Sequence, residues 1–273
     1  MREAGTDIKI IVNNLTVCYN DEGQDGVPVI IFIHGFPFNK FMWDKQVKAF
    51  KENYRVIAYD VRGHGDSDAG TDKFSIDLFA KDLINFMDEL KIDKAMLCGL
   101  SMGGYIALNA VYNYPDRFDA LILCDTNCIA DTSEVKEKRI KTIESIKKNG
   151  VEKFAEESIK NLFAPESFST KKEEIAAVRK MIVNTSKKSL CETLRAFYER
   201  KETCSKLLDF NIPTLVIVGK EDKVTPVATA QLLQENIKES ILYVLEYAGH
   251  LSNLENSVEF NNQLEEFVSA VYY

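Results

Sequence analysis

The chain has 273 residues, 45% of them hydrophobic and 28% charged, a balance that allows a sizeable buried core in one large domain or in a core with an insert. The formal net charge is −8 with no sustained basic stripe, which argues against nucleic acid or an anionic membrane surface as the main partner. The longest apolar runs are strand-sized and residues 1–7 hold no hydrophobic signal core, so a cytoplasmic protein without a membrane partner is expected.

Residues 7–12 and 15–19 alternate apolar and polar side chains around Asn13-Asn14, the pattern of a hairpin. Residues 29–33 are a continuous apolar run, as expected of a strand covered on both faces, and lead into His34-Gly35-Phe36-Pro37. A helix is expected over 43–50 and a strand over 54–59, running into Asp60-Val61-Arg62-Gly63-His64-Gly65-Asp66-Ser67. Ser75 is placed to cap a helix in which Ile76, Phe79, Leu83, Phe86, Met87 and Leu90 recur at helical spacing. Strands follow at 95–98 and 119–124, with a helix from Tyr105 between them. Strands alternating with helices in this way predict an α/β sheet that is mostly parallel.

The character changes after Asp125. From about residue 131 to 205 the chain is rich in lysine and glutamate, and helices are expected over 135–148, 151–162 and 171–186. Sheet-type segments then resume, with strands at 214–218 and 241–245 and a closing amphipathic helix over 258–271, which brings the expected strands to eight. Thr225-Pro226 is the expected start of a helix, with threonine as its cap. The division is therefore a core of 1–125 and 206–273 with a helical insert, 126–205, after the sixth strand. The cysteines (Cys18, Cys98, Cys124, Cys128, Cys191, Cys204) form no C-x-x-C pair and have no metal-spaced histidines beside them. All six are expected to be buried, reduced thiols, and neither a metal nor any other cofactor is implied.

The chemistry gathers at Gly99-Leu100-Ser101-Met102-Gly103-Gly104, between a strand and a helix. Gly99 and Gly103 suit a turn too tight for a Cβ, which would lift the Ser101 hydroxyl above the strand ends. A serine hydroxyl needs a base, and the chain holds three histidines. His34 and His64 sit in glycine-rich turns and read as structural hydrogen-bonding groups. His250, after the last strand, is the candidate base. Asp222, in Gly219-Lys220-Glu221-Asp222, is the candidate acid that would orient it, with Glu221 and Asp125 as competitors. The backbone N–H groups of Met102 and Phe36 are the candidate oxyanion donors, and Phe36, Met102 and Leu251 are the candidate pocket-lining residues.

With these residues named, the chain resembles the α/β hydrolases throughout, on His34-Gly35-Phe36-Pro37, Asp60-x-Arg62-Gly63-His64-Gly65-x-Ser67, the Ser101 turn, Gly219-x-x-Asp222 and Gly249-His250. The chain order Ser, Asp, His agrees. The resemblance implies an α/β-hydrolase fold in which the insert is a cap above the site. Within the superfamily the chain is most similar to 3-oxoadipate enol-lactonase-like esterases and lactonases, on residues 99–107 and on Ala248-Gly249-His250-Leu251-Ser252-x-Leu254-Glu255. Haloalkane dehalogenases and epoxide hydrolases put an aspartate at the elbow, where this chain has Ser101, and the tryptophan typical of proline iminopeptidases is missing there. The function implied is a cofactor-independent serine hydrolase acting on a small ester or lactone. Carbon–carbon bond hydrolysis, perhydrolysis on the same triad, and a ligand receptor of this fold stay open. A carboxylate-bearing lactone would call for a cation in the pocket, for which the insert offers Arg139, Arg179, Arg195 and Arg200.

Overall fold

The computed structural model describes residues 2–272. Strands β1 (Gly5–Val12) and β2 (Leu15–Glu22) form the expected hairpin, and Asn13 and Asn14 both take positive φ, 48° and 63°, as a two-residue turn between right-twisted strands requires. With β3 (Val29–Ile33), β4 (Arg55–Tyr59), β5 (Ala95–Leu100), β6 (Phe118–Cys124), β7 (Thr214–Gly219) and β8 (Ile241–Leu245) they make one eight-stranded sheet of order β1-β2-β4-β3-β5-β6-β7-β8. β2 is antiparallel to β1 and β4, and every other neighbouring pair is parallel.

The inner strands β3 to β7 bury both faces along most of their length, which is why they read as apolar runs, whereas β8 at the sheet edge is only partly buried. Alternate side chains feed two separate cores. Ile31, Ile33, Leu97, Leu123 and Val218 face α2 (Ile76–Glu89), α3 (Met102–Asn113) and α9 (Val227–Asn236). Ile30, Phe32, Met96, Ile122 and Ile217 face α1 (Asp44–Phe50) and α11 (Ser257–Tyr272). Ser75 caps α2, its side chain accepting from the Leu78 N–H at 3.0 Å. The helix expected to start at Trp43 is preceded by a 3-10 turn, Lys40–Trp43, which Asn39 caps through its side chain.

Between β6 and β7 the chain forms α4 (Ser133–Asn149), α5 (Val151–Leu162), α6 (Ser167–Thr170), α7 (Lys172–Asn184) and α8 (Lys187–Glu199). The expected helix over 171–186 ends at Asn184, and α8, capped by Ser186, is a separate element. Ile143 and Ile146 of α4 join Leu190 and Leu194 of α8 in the first core, while Ile159 of α5 joins Val178 and Ile182 of α7 in the second. No helix among the described residues is long and apolar enough to cross a membrane.

One expectation is corrected. Cys128 and Cys204, 76 residues apart, are joined by a disulfide, so the six cysteines are not all reduced thiols. Cys128 follows β6 and Cys204 opens the turn that leads to β7, so the bond ties the two ends of the insert together. Two chain segments folding back to a common neck bring these sulfurs into contact, and no local spacing records that. Cys18, Cys98, Cys124 and Cys191 are buried and unpaired.

Candidate active site

Ser101 stands between β5 and α3 with φ 53° and ψ −109°, a backbone conformation that costs on the order of 1–3 kcal/mol and persists only where the surroundings impose it. Here they do. The Ser101 N–H donates to Cys124 O at 2.9 Å, and its carbonyl accepts from the Thr126 hydroxyl at 2.8 Å. The glycines are forced by the same crowding: a Cβ on Gly99 would lie 2.3 Å from Gly103 O, and one on Gly103 would lie 2.1 Å from Ile33 O.

Ser101 Oγ lies 3.0 Å from His250 Nε2, and His250 Nδ1 lies 2.8 Å from Asp222 Oδ2. All three are buried, Ser101 being 8% exposed and His250 1%. Asp222 also holds its own turn, its Oδ1 accepting from the N–H groups of Val224 at 2.7 Å and Thr225 at 3.0 Å. Burial disfavours the imidazolium of His250, but the Asp222 carboxylate, with smaller help from Asp125 and Glu255, outweighs it and holds the pKa above the usual 6.5. Burial likewise opposes ionisation of Asp222, yet His250 and the Thr225 hydrogen bonds leave its pKa below the usual value.

The competing acids are placed elsewhere. Asp125 accepts from the Gly219 N–H at 2.8 Å and from the Ser252 hydroxyl, so it braces the ends of β6 and β7. Burial, with Asp222 nearby, pushes its pKa well above the carboxylate range. Glu221 is part-buried beside Asp222, and it is Asp222 that reaches His250. His34 Nε2 accepts from the Val61 N–H at 2.9 Å, and His64 Nδ1 lies 3.1 Å from Arg62 O. Burial lowers their pKa values to about 4 and about 3, so both are neutral.

The oxyanion candidates are Met102, the first residue of α3, and Phe36, in the loop after β3. Neither N–H donates to an acceptor among the described residues. The Phe36 ring meets Phe197 of α8 edge-on at 5.3 Å and lies 6.2 Å from Phe154 of α5, so the insert forms the wall facing this loop. The Met102 side chain is buried in the first core, and Leu251 is fully buried in the second. Arg139 and Arg200 turn inward, both pairing with Asp131, and their guanidinium groups lie over the rings of Phe197 at 4.9 Å and Tyr105 at 3.9 Å. Arg179 and Arg195 are surface groups beside Glu156 and Glu192. The one cluster of metal-type ligands among the described residues, Asp7, Cys18 and Asp66, adjoins the Lys40 ammonium, 2.9 Å from Asp7 Oδ1 and 3.4 Å from Cys18 Sγ. The same ammonium also pairs with Asp60 at 3.0 Å, so a fixed cation already serves the carboxylates on either side of it.

Two participants escape the sequence reading. Thr225, expected to cap α9, instead donates its hydroxyl to Asp222 Oδ2 at 2.6 Å and lies 3.3 Å from His250 Nδ1, while the N-cap position falls to Pro226. Glu255 is buried behind the His250 loop, with Oε1 accepting from the Gly249 N–H at 2.8 Å. A carboxylate in the short helical turn Ser252–Glu255, just after the candidate histidine, was the available signal.

Comparison with known proteins identifies the family. Residues 28–257 match the family model described as the alpha/beta hydrolase fold. The chain is 30% identical to 3-oxoadipate enol-lactonase 2 of Acinetobacter baylyi over 94% of both chains. Among solved structures it is similar to a thermophilic esterase from Thermogutta terrifontis with malate bound (31% identity, TM-score 0.91, covering 97% of this chain and 99% of that one). It is also similar to the enol-lactonase from Burkholderia xenovorans (26% identity, TM-score 0.90, covering 96% of this chain and all of that one). The chain belongs to the α/β-hydrolase family and is a hydrolase that resembles its esterases and enol-lactonases.

Proposed function

We propose that the protein cleaves a small carboxylic ester or lactone through an acyl-enzyme, with Ser101, His250 and Asp222 as its catalytic triad and no cofactor. The observation that carries this reading is the unbroken relay from Ser101 Oγ through both nitrogens of His250 to Asp222 Oδ2, at 3.0 and 2.8 Å.

In the first half-reaction His250 Nε2 takes the Ser101 proton as Oγ bonds to the carbonyl carbon. The charge on the carbonyl oxygen is met by the N–H groups of Met102 and Phe36, and Asp222 stabilises the imidazolium. The tetrahedral intermediate collapses as His250 hands its proton to the leaving oxygen. For a lactone that oxygen stays attached to the acyl chain. Water, deprotonated by His250, then attacks the acyl carbon, and Ser101 leaves with the proton restored. The helical insert, 126–205, serves as the cap, its Phe154 and Phe197 closing an apolar wall around Phe36 that suits a small uncharged acyl group. The lactonase and esterase names of the relatives are the ground for the bond type.

Mass spectrometry of the protein quenched during turnover of an activated ester tests the mechanism. An acyl adduct on the Ser101 peptide is expected in the wild type. Turnover with the adduct on another residue, or with none in any quench interval, contradicts it.

A further inference from the structure

The His250 loop is held through its backbone as well as through the Asp222 contact to its ring. The Gly249 N–H donates to Glu255 Oε1 at 2.8 Å, and the next N–H, of His250 itself, donates to Leu162 O at 2.9 Å. Two consecutive peptide groups are thus fixed, which leaves the His250 backbone little freedom to turn. The second oxygen of Glu255 reaches into the insert, where Oε2 accepts from the Ala164 N–H at 2.7 Å and the Ser167 hydroxyl at 2.6 Å. The two backbones are in direct contact at this point: a Cβ on Gly249 would lie 2.7 Å from Ala164 N.

We propose that Glu255 is a positioning residue for His250, and that the cap segment Leu162–Ser167 which it grips belongs to the fixed catalytic frame. This rests on the triad reading above. A cap that opens can then move through α4, α7 and α8, but its joint between α5 and α6 must stay seated while the histidine works. Glu255 is 3% exposed, and its hydrogen-bond partners are N–H groups and one hydroxyl. Burial raises its pKa above the usual carboxylate value against the pull of those donors. As a carboxylate it adds to the field that raises the pKa of His250, a field to which Asp222 contributes most and Asp125 also contributes. It therefore sets both the aim of the imidazole and, in part, its basicity.

The test compares wild type, Glu255→Gln, Ser167→Ala and His250→Ala on p-nitrophenyl acetate, with rates expressed per site titrated by a fluorophosphonate, except for His250→Ala, which lacks the base that drives the titration and is expressed per mole of folded protein. Glu255→Gln is expected to lower kcat about tenfold to a hundredfold, as small misplacements of a catalytic group do, with KM moved less than about twofold. Its acid limb in the pH–rate profile is expected to move to lower pH, because a negative charge near the imidazolium is gone. Ser167→Ala, which removes one donor on the cap side and carries the test alone if Glu255→Gln does not fold, is expected to lower kcat severalfold. Wild-type kcat per titrated site in Glu255→Gln, or in Ser167→Ala where that variant stands alone, overturns the proposal. So does a kcat loss in Glu255→Gln with an unmoved acid limb, which marks a structural role only. Full activity in His250→Ala overturns the triad reading as well, whereas an inactive His250→Ala beside an unaffected Glu255→Gln overturns the Glu255 assignment alone.

Discussion

The hydroxyl of Thr225 donates to Asp222 Oδ2 at 2.6 Å, the same oxygen that lies 2.8 Å from His250 Nδ1. Asp222 thus shares one oxygen between the imidazole and a fixed donor, and its other oxygen is held by two backbone N–H groups. Hydrogen bonds to a charged group contribute about 1.5–3 kcal/mol each, so these bonds favour the ionised acid. Thr225→Val keeps the shape and loses the donor. Its kcat is expected to fall about tenfold, and Thr225→Ser to restore most of it. Steady-state kinetics on one ester checks both.

The two buried aspartates predict opposite outcomes. Asp222→Asn should lower kcat by about four orders of magnitude, the loss known for a serine protease acid, because the amide leaves His250 with the wrong tautomer. Asp125→Asn still offers an oxygen to the Gly219 N–H, so it should keep kcat within about tenfold and cost about 1–3 kcal/mol of stability. Turnover and urea unfolding of the two variants separate catalysis from bracing. The reverse ranking would make Asp125 the acid.

The acid limb of kcat/KM follows from the same field. As the proposed base His250 works only when neutral, and Asp222 with Asp125 and Glu255 holds its pKa above 6.5 despite burial. Activity should therefore rise with pH through a limb centred above 6.5, a value that belongs to the coupled His250–Asp222 pair. His34 and His64, lowered to about 4 and about 3, should leave no second limb near neutrality. A profile of kcat/KM measured from about pH 5 to 9 tests this; a limb centred below 6.5 would contradict the raised pKa.

The sheet was legible in the sequence because β3, β5, β6 and β7 bury both faces and so appear as nearly continuous apolar runs. The Ser101 turn was legible because only glycine fits at 99 and 103, where a Cβ would meet backbone at 2.3 and 2.1 Å. Thr225 was misread for a local reason: Thr-Pro is a valid helix start, and the competing acceptor, Asp222 Oδ2, is brought to it by the fold of its turn. The Cys128–Cys204 bond and the grip of Glu255 on Ala164 and Ser167 join segments 76 or more residues apart, which nothing in local spacing can report. α8 was unseen because its apolar positions, Leu190, Leu194 and Phe197, lie among charged residues of the same run as α7.

The disulfide carries its own prediction. Closing a loop of 76 residues reduces the entropy of the unfolded chain, an effect of about 4.5 kcal/mol in the chain-entropy view, before any native-state strain. Cys128→Ser with Cys204→Ser, and equally the reduced wild type, should lose about 2–4 kcal/mol in urea unfolding. An unchanged midpoint on reduction would show that the bond does not form in solution.

The most direct measurement is hydrolysis of short p-nitrophenyl esters at neutral pH by wild type and Ser101→Ala side by side. The account predicts multiple turnover in the wild type that falls by several orders of magnitude in the variant, leaving only the residual rate that oxyanion donors and binding support. Turnover in Ser101→Ala close to the wild-type rate would contradict it, since the nucleophile would then be another group.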